Sequence, residues 1–177
     1  MSAAGQVLPF VTLNAAGQQY AVLAASVTEI VGLQQLTKVP KMPTCVRGLM
    51  NLRGTVVPVV DLAEKLGFAR TAITPQTCVV IVSTAIDSVA TTIGIIVDEV
   101  VDVISLPAAD ISSPPAFGSS VDPAYLTGIT RLSDRYVLVL DLTRVLAPEE
   151  LLSVTRQRGK MSAAGVWNGE KGADAPA

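Results

Sequence analysis

Shifted by 80 positions, the chain matches itself. The stretch from Val46 to Leu66 returns without gaps as Leu126 to Leu146, and the pairs Gly48/Gly128, Leu52/Leu132, Val57/Val137, Val59/Val139, Asp61/Asp141, Leu62/Leu142 and Leu66/Leu146 are identical. Seven identities over 21 positions stand against roughly one or two by chance, which marks two copies of one small unit. Within each copy an aspartate follows a strand-like run and opens a short helical turn, so Asp61 and Asp141 read as helix caps in like surroundings. The copies differ at the turn, where Arg53-Gly54 faces Ser133-Asp134, and at Pro58, which faces Leu138. If a common fold needs what both copies share, residues found in one copy are the better candidates for function.

The rest of the chain fits the same scheme. Phe10 to Leu13 and Gln19 to Leu23 are strand-like runs around Asn14-Ala15-Ala16-Gly17, the pattern of a hairpin. Val27 to Val31 continues extended. Pro43 starts a helical turn through Arg47 that ends at Gly48. Thr55 to Val60 is apolar on both faces, with Pro58 demanding an edge or a bulge. Cys78 to Val82 and Ala90 to Val97 repeat the first hairpin, and Val97-Asp98-Glu99-Val100 repeats Val27-Thr28-Glu29-Ile30 at an offset of 70. Short strands punctuated by Gly and Pro predict an all-β fold of two small barrels sharing a core. A final helical turn is expected over 148–154. The Gly-, Ala- and Lys-rich residues 155–177 are expected to be a disordered tail.

Composition excludes several functions. The net charge is -2 without a basic block, which argues against nucleic acid. No histidine is present, removing the commonest general base and metal ligand. Cys45 and Cys78 stand alone and read as buried apolar residues. No constellation makes an enzyme, and no metal or cofactor is expected. No apolar run reaches the ~20 residues that span a bilayer, so a cytoplasmic protein without membrane insertion is expected.

Arg53 is the only charge between Arg47 and Asp61. It is either a solvated turn residue or a guanidinium fork held by a carboxylate at a binding surface. Glu29, flanked by apolar residues, is its natural partner. Val27 and Ile30 are core residues or the wall of an apolar groove. Arg47 and Lys41 read as exposed charges without special purpose.

These residues carry a resemblance. Val27-Thr28-Glu29-Ile30, Val39-Pro40, Val46-Arg47-Gly48, the run Asn51 to Leu62, Gly94 to Val100, Tyr125-Leu126-Thr127-Gly128 and Leu140-Asp141-Leu142 together resemble the CheW-like domain family of chemotaxis coupling proteins. The likeness implies one CheW-like domain over 6–154, built as two five-stranded SH3-like barrels on a shared core, about 6–70 and 75–146, with short helical turns. It implies an adaptor that couples the cytoplasmic tip of methyl-accepting chemoreceptors to the regulatory domain of the histidine kinase CheA, at membrane-associated arrays. The receptor-binding positions it carries over are Val27, Glu29, Gly48 and Arg53; it assigns no kinase-binding residues. A scaffold of a twitching or developmental chemosensory pathway is the alternative, and a small-molecule binding module is another.

Overall fold

Nearly every valine- and isoleucine-rich run between the Gly and Pro signals is a strand, because β-branched side chains suit a pleated, buried surface. The computed structural model describes residues 5–86, 88–114 and 121–146. Its strands are β1 (Val7–Ala15), β2 (Gln18–Leu23), β3 (Val27–Gly32), β4 (Val46–Leu52), β5 (Thr55–Asp61), β6 (Cys78–Ile86), β7 (Val89–Val97), β8 (Glu99–Pro107), β9 (Leu126–Leu132) and β10 (Arg135–Leu140). Two single-turn helices follow hairpins, α1 (Leu62–Lys65) and α2 (Leu142–Val145). The strands form two five-stranded sheets, in the orders β8-β1-β2-β10-β9 and β3-β6-β7-β5-β4. The all-β class with paired five-stranded units is therefore as expected. The expected final turn at 148–154 and the tail at 155–177 lie outside the described residues.

The expected division of the barrels, about 6–70 and 75–146, does not match the pairing. β1 and β2 join β8, β9 and β10, while β6 and β7 sit between β3 and β5. Each half lends its first hairpin to the sheet of the other half. The junctions are parallel: β2 meets β10 through Tyr20↔Leu138 to Val22↔Leu140, and β5 meets β7 through Val59↔Gly94 to Asp61↔Ile96. A three-residue turn, Ala24–Ser26, carries the chain from one sheet to the other. Self-similarity reports the order of strands along the chain, and that order is the same whichever sheet a hairpin joins.

The repeat itself is present in the hydrogen-bond register. β4 and β5 pair as Val46↔Val60, Gly48↔Val59 and Leu52↔Thr55, with a bulge after Val46. β9 and β10 pair as Leu126↔Leu140, Gly128↔Val139 and Leu132↔Arg135, with the bulge at the matching place. Asp61 caps α1 by accepting from Glu64 N, and Asp141 caps α2 by accepting from Thr143 N. Their surroundings are not alike, contrary to expectation: Asp61 is fully buried, whereas the Asp141 side chain is 27% exposed. Asp61 is covered by Arg47, whose repeat mate is Thr127, and by Thr71, both of which bond its carboxylate.

Two local expectations also fail. Arg47 and Gly48 are strand residues of β4, because pairing with β5 starts at Val46; only one turn bond, Val46 N to Pro43 O, remains of the expected helix. Pro58 lies on an inner strand away from the bulge. Its ladder with β7 begins one residue later, at Val59, whereas the ladder of β10 with β2 begins at Leu138, the Pro58 counterpart. A residue without N–H is tolerated where the ladder on that side has not begun.

Period-two alternation buries both faces of the inner strands. Val59 packs inside its own sheet with Met50, Val79, Ile81 and Ile96, while Val60 faces the opposite sheet. Val137 and Val139 pack inward with Phe10 and Leu106, while Leu138 and Leu140 join the cluster between the sheets. Among the described residues that shared cluster holds 22 buried side chains against five within each sheet, so the two sheets share one core.

Tyr20 lies in this shared cluster, fully buried, and its hydroxyl has no hydrogen-bond partner among the described residues. Burial pushes its pKa up to about 12, so the fold holds the neutral phenol. The ordinary value is about 10, so this contribution is intact below pH ~10 and is lost as pH rises through the folded value. The loss amounts to about 2–3 kcal/mol by linkage. Tyr20→Phe is expected to remove that alkaline loss and to be neutral or stabilising at pH 7, since an unpartnered buried hydroxyl costs about 1–3 kcal/mol. Urea midpoints at neutral and alkaline pH check both statements.

Candidate functional site

β3 and β4 are the two edge strands of the sheet β3-β6-β7-β5-β4. The turn between β4 and β5 is the two-residue pair Arg53-Gly54, with φ values of 52° and 85°. Positive φ at both central positions is the tight hairpin turn whose twist matches that of the strands, and it favours Asn-Gly or Gly-Gly. Asn51 supports the turn, its Oδ1 accepting from Gly54 N at 2.8 Å. Arginine in this left-handed conformation costs of order 1 kcal/mol or more, so the turn itself does not account for it. Its side chain does something else.

That side chain crosses to β3. Arg53 Nη1 donates to Glu29 Oε1 and Nη2 to Glu29 Oε2, both at 2.8 Å, a parallel two-bond fork. The expected pairing is thus observed, and it ties one open edge of the sheet to the other. The guanidinium side chain remains 76% exposed and Glu29 27% exposed, which leaves donors free for a partner. Ile30, next to Glu29 in β3, and Val56, just past the turn, are exposed apolar residues of the same sheet, at 43% and 42%.

The second sheet has a two-residue turn at the matching place, Ser133-Asp134, but only its first residue has positive φ and the device is missing. Ser133 also has positive φ, 55°, so the backbone needs no arginine. Glu99, the repeat mate of Glu29, accepts from Asn14 Nδ2 at 2.7 Å instead.

The other expected positions divide. Val27 is half-buried, packs on the shared core and pairs with Val82 just before a bulge; Thr28 fills the bulge by donating to Ile81 O at 2.9 Å. Val27 is a core residue at the foot of the Glu29 edge. Gly48 is buried, with φ of 147°, and a Cβ there would meet Thr37 O at 2.6 Å. It presents no side chain; it lets the segment between β3 and β4 pass over β4, where Thr37 and Leu49 exchange two backbone bonds of 2.8 Å.

Arg47 was misread as an exposed charge. It is 16% exposed and donates through Nη1 to Asp61 Oδ2 at 2.7 Å, and Thr71 donates to the same carboxylate through N and Oγ1 at 2.9 and 2.7 Å. The signal was available in the repeat, since Arg47 faces Thr127 just as Arg53 faces Ser133.

The model of the CheW-like domain matches residues 9–150, most of the chain. The chain belongs to the CheW-like family. Among CheW relatives it is 31% identical over 145 residues to the chemotaxis protein CheW of Klebsiella aerogenes, covering 82% of this chain and 85% of that one. It is 32% identical over 133 residues to the chemotaxis protein CheW of Bacillus subtilis, covering 75% and 83%. In structure it is similar to the scaffolding protein TtCheW of Thermoanaerobacter tengcongensis, with a TM-score of 0.72, 27% identity, and coverage of 82% and 91%. The CheW-like relationship thus spans both sheets and the Arg53–Glu29 edge. No helix among the described residues is long and apolar enough to cross a membrane.

Proposed function

We propose that this CheW-like chain is a non-enzymatic adaptor that couples the cytoplasmic tip of chemoreceptors to the regulatory domain of the kinase CheA. It works in the cytoplasm, at membrane-associated receptor arrays. The observation that carries this reading is the Arg53–Glu29 fork, an arginine held across a sheet edge, in a strained turn, with most of its surface open. A planar fork with exposed Ile30 and Val56 in the same sheet suits a helical receptor hairpin that brings both polar and apolar side chains. Val27 and Gly48 serve the same face indirectly, by packing under it and by setting the path of the segment over β4.

Arg53→Ala tests the assignment. Arg53→Ala loses only the fork to Glu29, a largely exposed ion pair worth about 0–1 kcal/mol, and keeps the Asn51–Gly54 bond of the turn, so the variant is expected to stay folded. Truncating an arginine that is desolvated on binding costs ~2 kcal/mol or more. Receptor-fragment affinity should therefore fall more than about tenfold, while kinase-fragment affinity stays the same in parallel titrations. Unfolding by several kcal/mol in urea would make Arg53 a structural clip instead.

A further inference from the structure

A second surface lies between the segment joining β3 to β4 and the loop after α1. It is a groove of about 490 Å³, and neither Glu29 nor Arg53 lines it. Its apolar wall includes Leu36, Met42 and Val46, and Ile73 stands at its rim 56% exposed. Four cations line it as well, Lys38, Lys41, Arg47 and Arg70, and no lining residue is acidic. The chain as a whole is slightly acidic, with a net charge of -2, so this concentration of positive charge is local.

The four cations are not equivalent. Arg47 is committed to Asp61, and Arg70 Nε donates to Glu64 at 3.1 Å. Lys38 and Lys41 are exposed and make no ion pair among the described residues. Lys41 also follows Pro40 in a turn and has φ of 62°. After a proline, that position of a turn is where glycine is relaxed. An ammonium group is therefore kept where the backbone disfavours its side chain. Such an outlier points toward function when a surface of matching chemistry surrounds it.

We propose that this groove docks an acidic amphipathic segment of a partner protein. The apolar stripe of that segment lies along Leu36, Met42, Val46 and Ile73, and its carboxylates meet Lys38 and Lys41. Charge complementarity selects an acidic partner, and the apolar wall selects a peptide over a nucleic acid, whose phosphates would gain nothing from it. Neither Glu29 nor Arg53 lines this groove, so the two surfaces are addressed through different side chains.

The test uses the full chain and a labelled synthetic helical peptide with leucines on one face and glutamates on the other. Expected is saturable binding that weakens as salt rises. Lys38→Glu with Lys41→Glu should lower the affinity by about tenfold or more, with an unchanged melting temperature. Lys41→Gly should melt higher yet bind more weakly, a split that a purely structural role would not produce. Arg53→Ala should bind the peptide as the parent does, so failure of the receptor assignment is read separately. Equal binding of a lysine-for-glutamate peptide, no saturable binding, or full affinity in the double variant would each overturn the proposal. So would release of Glu149-Glu150-Leu151-Leu152 by the peptide in NMR spectra of the full chain, because the occupant would then be this chain's own stretch of two glutamates and two leucines.

Discussion

Arg47→Ala is expected to destabilise the protein by about 3 kcal/mol. Removing one partner of a buried ion pair leaves an uncompensated charge and typically costs about 3–5 kcal/mol. Asp61 has no exposed surface, and Arg47 is the only cation bonded to it among the described residues. The lower end of the range applies, because Asp61 keeps its bonds from Thr71 N, Thr71 Oγ1 and Glu64 N. In a chain of this size such a loss lowers the melting temperature by about 6–12 °C. Adding Asp61→Asn to the variant should recover part of the loss, since the carboxylate charge is then gone while an amide oxygen still accepts. Urea unfolding of the single and double variants measures this directly. A loss below about 1 kcal/mol would mean that the buried carboxylate is fully satisfied by Thr71 and the helix cap, as for a weak surface pair. Arg47 and Arg53 lie six residues apart with opposite surroundings: the first is 16% exposed and paired with a buried carboxylate, the second is 76% exposed at a sheet edge.

Gly48→Ala is expected to cost about 2–4 kcal/mol, from a backbone conformation disfavoured for L side chains and from overpacking. The added Cβ would sit 2.6 Å from Thr37 O, a backbone atom that cannot swing away. Both the Thr37–Leu49 bridge and the segment above it would have to move. Gly128→Ala in the other sheet meets Ser112 O and Ile111 Cγ2 more closely still, though without the positive φ, so a comparable cost is expected. Melting curves of the two variants, read beside receptor titrations, separate shape from contact. If Gly48→Ala melted like the parent and lost only receptor binding, Gly48 would touch the receptor directly, and its place beneath Thr37 would not be what matters.

The sequence made some features legible because they are local or recur. The recurrence of one unit in two copies, the aspartate caps and the Arg53–Glu29 fork all follow from residues close in sequence or from a repeat that compares like with like. The exchange of hairpins was not legible, since backbone pairing between β2 and β10 uses amide groups that every residue carries. Arg47 was misread because an arginine flanked by Val46 and Gly48 looks the same whether its head reaches water or a buried carboxylate. Pro58 was misread for a related reason: a missing N–H announces a gap in a ladder but not on which side of the strand the gap falls.

The parallel junctions β2–β10 and β5–β7 make each half depend on the other for its sheet. A single unit, one hairpin followed by three strands, leaves its hairpin and its three strands without the partners used here. Two such units satisfy each other by trading hairpins, which is the geometry of a domain-swapped dimer. The chain has the geometry of such a swapped pair with its two units joined in tandem. Arg47 and Arg53 stand in one half alone, which gives a pseudo-symmetric object a front and a back.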